Sequence, residues 1–149
     1  MNRRRFVQSS VAMASSGPLL LGMQNKSESS PLVTGQGEHR YEVVHDWAKL
    51  PGQFTWQTTH NVAVDSQGNL YVIHEGRAEL KDHPSIFVFD PQGKYIRSFG
   101  KQFQGGGHGI EIRKEGTEEF LYVCAYQQLK TFAKMSLKGE TVWQKYAPM

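Results

Sequence analysis

The stretch that decides the fold is NVAVDSQGNLYVIHEG at residues 61–76, followed by IFVFDPQGKYIRSFG at residues 86–100. Apolar and polar residues alternate in both stretches, which is the two-residue period of half-buried β-strands. Turn-forming residues at 65–69 and at 90–93 interrupt the alternation once in each stretch. The two stretches therefore predict four short antiparallel strands, connected as two hairpins.

The same pattern recurs downstream as an internal repeat. HNVAV at residues 60–64 has a counterpart 48 residues later in HGIEI at residues 108–112, LYV at residues 70–72 recurs at residues 121–123, and the Gly93 turn recurs at Gly139. A four-stranded unit of this length is typical of a β-propeller blade, which buries its faces only against neighbouring blades.

The repeat predicts an all-β fold with two blades of a larger ring, at residues 60–107 and 108–149. YEVVH at residues 41–45 predicts one preceding strand, which suits the outer strand that closes a propeller ring. We therefore interpret residues 41–59 as an outer strand and a connection.

The repeat resembles the NHL family of six-bladed β-propellers. Residues 61–76 look like that family's first hairpin, residues 86–100 like its second turn and terminal Phe-Gly, and GGHGI at residues 106–110 like the glycines that open the next blade. The second unit departs from the pattern, because Arg113 stands where Asp65 stands in the first unit.

The N-terminus resembles a twin-arginine export signal. NRRRFVQ at residues 2–8 places an arginine pair ahead of a mildly apolar stretch, so we assign residues 1–30 to the signal and the start of a linker, and residues 31–40 to a flexible linker. The resemblance implies export to the periplasm or the cell exterior, with a membrane tether if the signal stays uncleaved. A basic, frayed N-terminus without this role is the alternative.

The length of the chain is short for a closed ring. Closed propellers use about four to eight blades, whereas about two fit into the part of the chain that follows the linker. We expect a fragment of a longer protein, a split gene product or an oligomer, in which further blades or self-association complete the ring.

Charge and cysteine content exclude several classes of function. Four of the 17 basic residues but only one of the 14 acidic residues lie in the first thirty positions, which leaves 13 of each for the rest of the chain. A neutral body lacks the basic surface that nucleic acid requires, so we expect no nucleic-acid partner. Cys124 is the only cysteine, and its apolar surroundings predict a buried structural thiol.

Within the propeller class, the chain is similar to the peptidyl-α-hydroxyglycine α-amidating lyase family. That resemblance implies a zinc ion held by three histidines, a structural calcium ion, and a catalytic arginine and tyrosine. Gly107-His108-Gly109-Ile110 matches a zinc-ligand segment of that family apart from its proline, so His108 is a candidate zinc ligand. His60 holds the same position in the first unit and is a second candidate, with a channel-lining or solvated role as the alternative for both.

The catalytic arginine of that family does not carry over. Glu75 follows His74 where the arginine is expected, and Arg77 is a weak substitute two residues further on. A carboxylate at that point would repel an oxyanion. Our first functional hypothesis is therefore an exported binding module for a peptide, glycan or small molecule. The alternatives are a metal-dependent lyase of this kind and an inert truncated remnant.

Overall fold

The computed structural model describes residues 32–148, which fold almost entirely as β-strands. The ten strands are β1 Leu32–Gln36, β2 His39–Val43, β3 Thr59–Val64, β4 Leu70–His74, β5 Ile86–Phe89, β6 Tyr95–Phe99, β7 Gly107–Glu115, β8 Glu118–Ala125, β9 Thr131–Ser136 and β10 Thr141–Tyr146. One short 3₁₀ helix, Lys101–Phe103, separates β6 from β7. None of the described segments forms a helix with the length and hydropathy needed to cross a bilayer. The all-β prediction is confirmed.

Two four-stranded antiparallel sheets make up residues 45–148. The first sheet has the order β3-β4-β5-β6 and the second sheet has the order β7-β8-β9-β10, so strands adjacent in sequence are adjacent in space. The turns form where the sequence predicts them: the Asp65 carboxylate accepts backbone hydrogen bonds from Gln67 at 3.0 Å and Asn69 at 2.8 Å. Asp90 does the same for Gln92 and Lys94. Both are Asx turns, which local hydrogen bonding stabilises.

A separate two-stranded hairpin precedes the sheets. The sequence predicts a linker at residues 31–40 and an outer strand from Tyr41, but the structure pairs β1 with β2 in register from Leu32↔Val43 to Gln36↔His39. Gly37 begins the two-residue turn with φ of 58°, the positive value that tight hairpin turns require. The signal peptide assigned to residues 1–30 lies outside the described residues.

The main hydrophobic core lies between the two sheets. Tyr71, Ile73, Ile86 and Val88 of the first sheet are fully buried against a set of the second sheet that comprises Ile110, Leu121, Val123, Ala133 and Met135. These residues alternate along their strands, so each sheet contributes one whole face. Burial of each large side chain stabilises the fold by about 1.5–3 kcal/mol.

A connecting segment covers part of the other face of the first sheet. Residues 47–57, here called the cap segment, pack through Trp47, Ala48, Leu50 and Phe54 on the buried residues Val72, Phe87 and Phe89. The backbone N–H of Lys49 donates to the carbonyl of Gly93 at 2.9 Å, which fastens the cap segment to the β5–β6 turn. The cap segment thus buries this face over β4 and β5, whereas Val62 and Val64 of β3 remain 52% and 56% exposed.

The second sheet has one face without such a cover, here called the open face. Cross-strand pairing places Gly109, Glu111, Tyr122, Cys124, Phe132, Lys134 and Trp143 on it. Phe132 is 45% exposed, and Cys124 is exposed as well. The expectation that Cys124 is buried was wrong, because strand alternation directs Val123 and Ala125 into the core and Cys124 away from it.

Candidate functional site

His60 and His108 come together where the two sheets meet. The centroids of their imidazole rings lie 4.6 Å apart, with 35° between the ring planes. Each histidine is the unpaired residue of a β-bulge, since the register shifts between Thr59 and Asn61 in β3 and between Gly107 and Gly109 in β7. A bulge redirects the side chain of the extra residue, and bulges are common beside functional sites.

The glycine run before His108 fixes this arrangement through the backbone. The amides of Gly105, Gly106 and Gly107 all donate to the carbonyl oxygen of Glu75, at 2.9–3.1 Å. A Cβ on Gly107 would lie 2.1 Å from the carbonyl oxygen of His74, so only glycine allows this approach. The run therefore joins the start of β7 to the end of β4 and positions Glu75 next to the histidines.

The Glu75 carboxylate is held by three side chains. Nε2 of His60 lies 3.2 Å from Oε2, and the amide of Gln127 donates to Oε1 at 2.5 Å. Hydrogen bonds with His60, Tyr126 and Gln127, in that order of effect, lower the pKa of Glu75 below its usual value. Glu75 is thus a fixed, ionised carboxylate, with about a quarter of its side chain exposed.

Tyr126 completes the group. Its ring centroid lies 4.8 Å from that of His108 and 5.9 Å from that of His60, and 38% of the residue is exposed. We call these five residues the histidine cluster: His60, Glu75, His108, Tyr126 and Gln127. Together they offer two imidazoles, a phenol, an amide and a carboxylate, which can form hydrogen bonds and aromatic stacking with a ligand.

His60 and His108 are two potential zinc ligands, whereas a catalytic zinc ion normally has three protein ligands. Nε2 of His60 is already within hydrogen-bonding distance of Glu75. Among residues 32–148, no group of three or more His, Cys, Asp or Glu side chains is arranged to hold a metal ion. The two predicted histidines are therefore adjacent, but the described residues do not form a complete zinc or calcium site.

Arg77 lies in the exposed loop after β4. Its backbone N–H donates to the side-chain oxygen of Gln104 at 2.9 Å. Arg77 shares with Glu75 and Gln127 the wall of a depression of about 270 Å³. The structure thus places the weak catalytic candidate on the same depression as two members of the histidine cluster.

Tyr126 and Gln127 are functional candidates that the sequence analysis missed. Aligning LYV at residues 70–72 with residues 121–123 and continuing the alignment places Tyr126 at the position of Glu75. This extension of the repeat was the available signal. Gln127 has positive φ, 53°, which turns the chain directly after β8 and brings its amide back to Glu75.

No protein-family model and no curated protein matches this chain. The assignment of a function therefore depends on the geometry of the histidine cluster.

Proposed function

We propose that this chain is an exported segment of an NHL-type β-propeller and that it acts as a ligand-binding module. In this proposal the two sheets are successive blades, and the ligand, a peptide, glycan or small molecule, contacts the histidine cluster. The observation that carries the proposal is the pair of equivalent β-bulges, which bring His60 and His108 to a ring separation of 4.6 Å.

The chemistry of the cluster favours binding over catalysis. Glu75 is engaged by His60 and Gln127 and serves to position them. The aromatic rings of His108 and Tyr126 remain exposed, so they are the surface that a ligand can reach. An ionised carboxylate in place of an arginine would oppose the stabilisation of an oxyanion.

Peptide and glycan arrays probed with the full chain test the proposal. Any ligand found there is titrated against the wild type, His108→Ala and Tyr126→Ala, with His45→Ala as the control because His45 is an exposed histidine outside the cluster. We expect both cluster variants to weaken binding at least about tenfold, the loss typical of an anchoring contact, and His45→Ala to have no effect. Equal binding by all four proteins would place the site elsewhere. Failure of every array ligand to bind would favour the inert remnant.

The second candidate is a metal-dependent lyase, which the adjacency of the two imidazoles supports. His108 and His60 would then hold zinc together with ligands outside the described residues, and calcium would have a structural role. Calorimetric zinc titration of the wild type, His60→Ala, His108→Ala and His45→Ala tests this candidate. If zinc binds equally well without His108, the lyase candidate is wrong and the cluster is a metal-free surface.

A further inference from the structure

A polar pocket outside the histidine cluster lies between the cap segment and the loop that follows β4. Residues 55–58, where the cap segment leads into β3, form one wall, and Gly76, Arg77 and Leu80 form the other. Its volume is about 310 Å³, which lies at the lower end of the range for small-molecule sites. We propose that this pocket, here called the side pocket, binds one ring of a sugar that carries a carboxylate.

Hydrogen bonds and a glycine hold the two walls in place. The backbone N–H of Glu75 donates to the carbonyl oxygen of Thr58 at 2.8 Å, which joins one wall to the other. The backbone N–H of Arg77 donates to the side-chain oxygen of Gln104 at 2.9 Å. Gly76 has φ of 75°, and a Cβ there would clash with the side-chain amide of Gln104. The side pocket is therefore a fixed feature of the fold.

Arg77 carries the only charge in the wall of the side pocket. Among residues 32–148, its guanidinium forms no salt bridge. The carboxylates of Glu75 and Glu79 belong instead to the depression beside the histidine cluster, and Glu75 is already engaged by His60 and Gln127. An unpaired guanidinium favours an anionic ligand, and its planar fork matches a carboxylate.

The side-chain amide of Gln57 has no hydrogen-bond partner. Its oxygen and its nitrogen are both shielded from solvent, and neither is bonded to any of the described residues. Buried polar groups are normally hydrogen-bonded, so this amide is a candidate for contact with a ligand. Neighbouring hydroxyl groups would satisfy it, because one donates to the oxygen and another accepts from the nitrogen. Thr55 and Thr58 add two hydroxyls to the same wall, which is thus suited to a ligand with several hydroxyl groups.

Trp56 provides an apolar surface for the ring of the ligand. Its indole stacks on the Phe89 ring, with 5.8 Å between the centroids and 27° between the planes, yet the residue is 47% exposed. An exposed aromatic ring beside polar groups can pack against the C–H face of a sugar. A sugar acid combines the three features that the wall requires: a carboxylate, several hydroxyls and an apolar ring face. A peptide carboxylate lacks the adjacent hydroxyls.

NMR titration of the full chain at low salt tests the proposal, with D-glucuronate as the probe. The comparison compounds are D-glucose, which lacks the carboxylate, N-acetylalanine, which offers a peptide carboxylate without a sugar ring, and benzoate, which has an aromatic ring instead. We expect glucuronate to bind at least about tenfold more tightly than each of them, the loss that follows from one missing bond to a charged group. Equal binding of any of the three, or no binding of glucuronate, would overturn the proposal.

Substitutions identify the pocket in which the probe binds. Gln57 lines the side pocket alone, whereas Arg77 also lines the depression beside the histidine cluster. We expect Arg77→Gln and Gln57→Leu each to weaken glucuronate binding at least about tenfold. The control Arg113→Gln, which removes the same charge from an exposed arginine of the second sheet, should have no effect. Weaker binding in Arg77→Gln alone would place the probe in the depression and overturn the proposal.

Thermal unfolding establishes that the variants are folded. Gln57→Leu has a similar volume and removes an unpaired buried amide, so it should unfold at the wild-type temperature or above. If it does not fold, Thr58→Val replaces it, because this substitution removes one hydroxyl of the same wall and keeps the shape of the side chain. The histidine cluster contributes no residue to this wall, so failure of the side pocket leaves the proposed function standing.

Discussion

Protonation of His74 should determine how the protein loses stability in acid. His74 ends β4 on the outer face of the first sheet and is fully buried, with its ring centroid 4.9 Å from that of Phe87 and 5.4 Å from that of Trp56. Neither ring nitrogen has a hydrogen-bond partner within the described residues. Burial, with a smaller contribution from the neighbouring His83, lowers the pKa of His74 to about 4.

The size of the effect follows from this pKa. In the unfolded chain His74 has its ordinary pKa of 6.5, so between pH 6.5 and pH 4 the unfolded state binds the proton that the folded state does not. The stabilisation is complete above pH 6.5 and is lost as the pH falls toward 4. Since one pKa unit corresponds to about 1.4 kcal/mol, the loss is about 3 kcal/mol.

The assay is urea unfolding followed by tryptophan fluorescence at fixed protein concentration, at several pH values from 7.5 to 4. His74→Phe keeps an aromatic ring against Phe87 and removes the titrating group, and it should cost about 1–3 kcal/mol at pH 7.5 because Phe is larger than His at this buried position. Its free energy of unfolding should fall by about 3 kcal/mol less than that of the wild type across this range. His45→Phe, at an exposed histidine, is the matched control. If the free energy of unfolding of the wild type and of His74→Phe falls by the same amount between pH 7.5 and pH 4, protonation of His74 is not the cause of the acid sensitivity.

Two further predictions concern export and the cap segment. Replacement of Arg3 and Arg4 together by lysine should leave the protein in the cytoplasm, measured by cell fractionation, and unchanged export would contradict the twin-arginine assignment. Gly93→Ala should destabilise the protein by about 2–4 kcal/mol, because φ at Gly93 is 77° and the new Cβ would lie 2.0 Å from the carbonyl oxygen of Trp47. Gly52→Ala, with no atom within 4 Å, should change the unfolding free energy by less than about 0.5 kcal/mol.

The strands of the first sheet could be predicted from sequence because local chemistry determines them. Alternation at residues 61–64 and 70–73 defines the buried face, and the carboxylates of Asp65 and Asp90 form the turns through bonds that span four residues or fewer. The hairpin at residues 32–43 was missed because Gly37 was interpreted as part of a flexible linker. Apolar and polar residues also alternate only weakly on either side of it. Cys124 was misplaced because an apolar run does not indicate which of its two faces is covered.

The sequence predicted two members of the histidine cluster but not the geometry that brings them together. The internal repeat showed that His60 and His108 hold equivalent positions. The distance between their rings, however, depends on how the two sheets pack, which is a long-range property. The bulges that redirect both rings require a partner strand with one residue fewer, and that is not visible in either strand alone. Tyr126 and Gln127 join the cluster through contacts with residues of the other sheet, Gln127 across 52 positions to Glu75.

The same long-range packing links the core to the site. His60 belongs to the first sheet and His108 to the second, so their separation is maintained by whatever holds the sheets together. Besides the core and the hydrogen bonds to Glu75, polar contacts away from the site join the sheets: Arg97 donates to the carbonyl oxygen of Leu137 at 2.6 Å, and the Ser66 hydroxyl donates to Glu119 at 2.7 Å. Both lie away from the histidine cluster in sequence, yet each constrains the angle between the sheets. The geometry of the cluster is therefore a property of the interface between the two sheets.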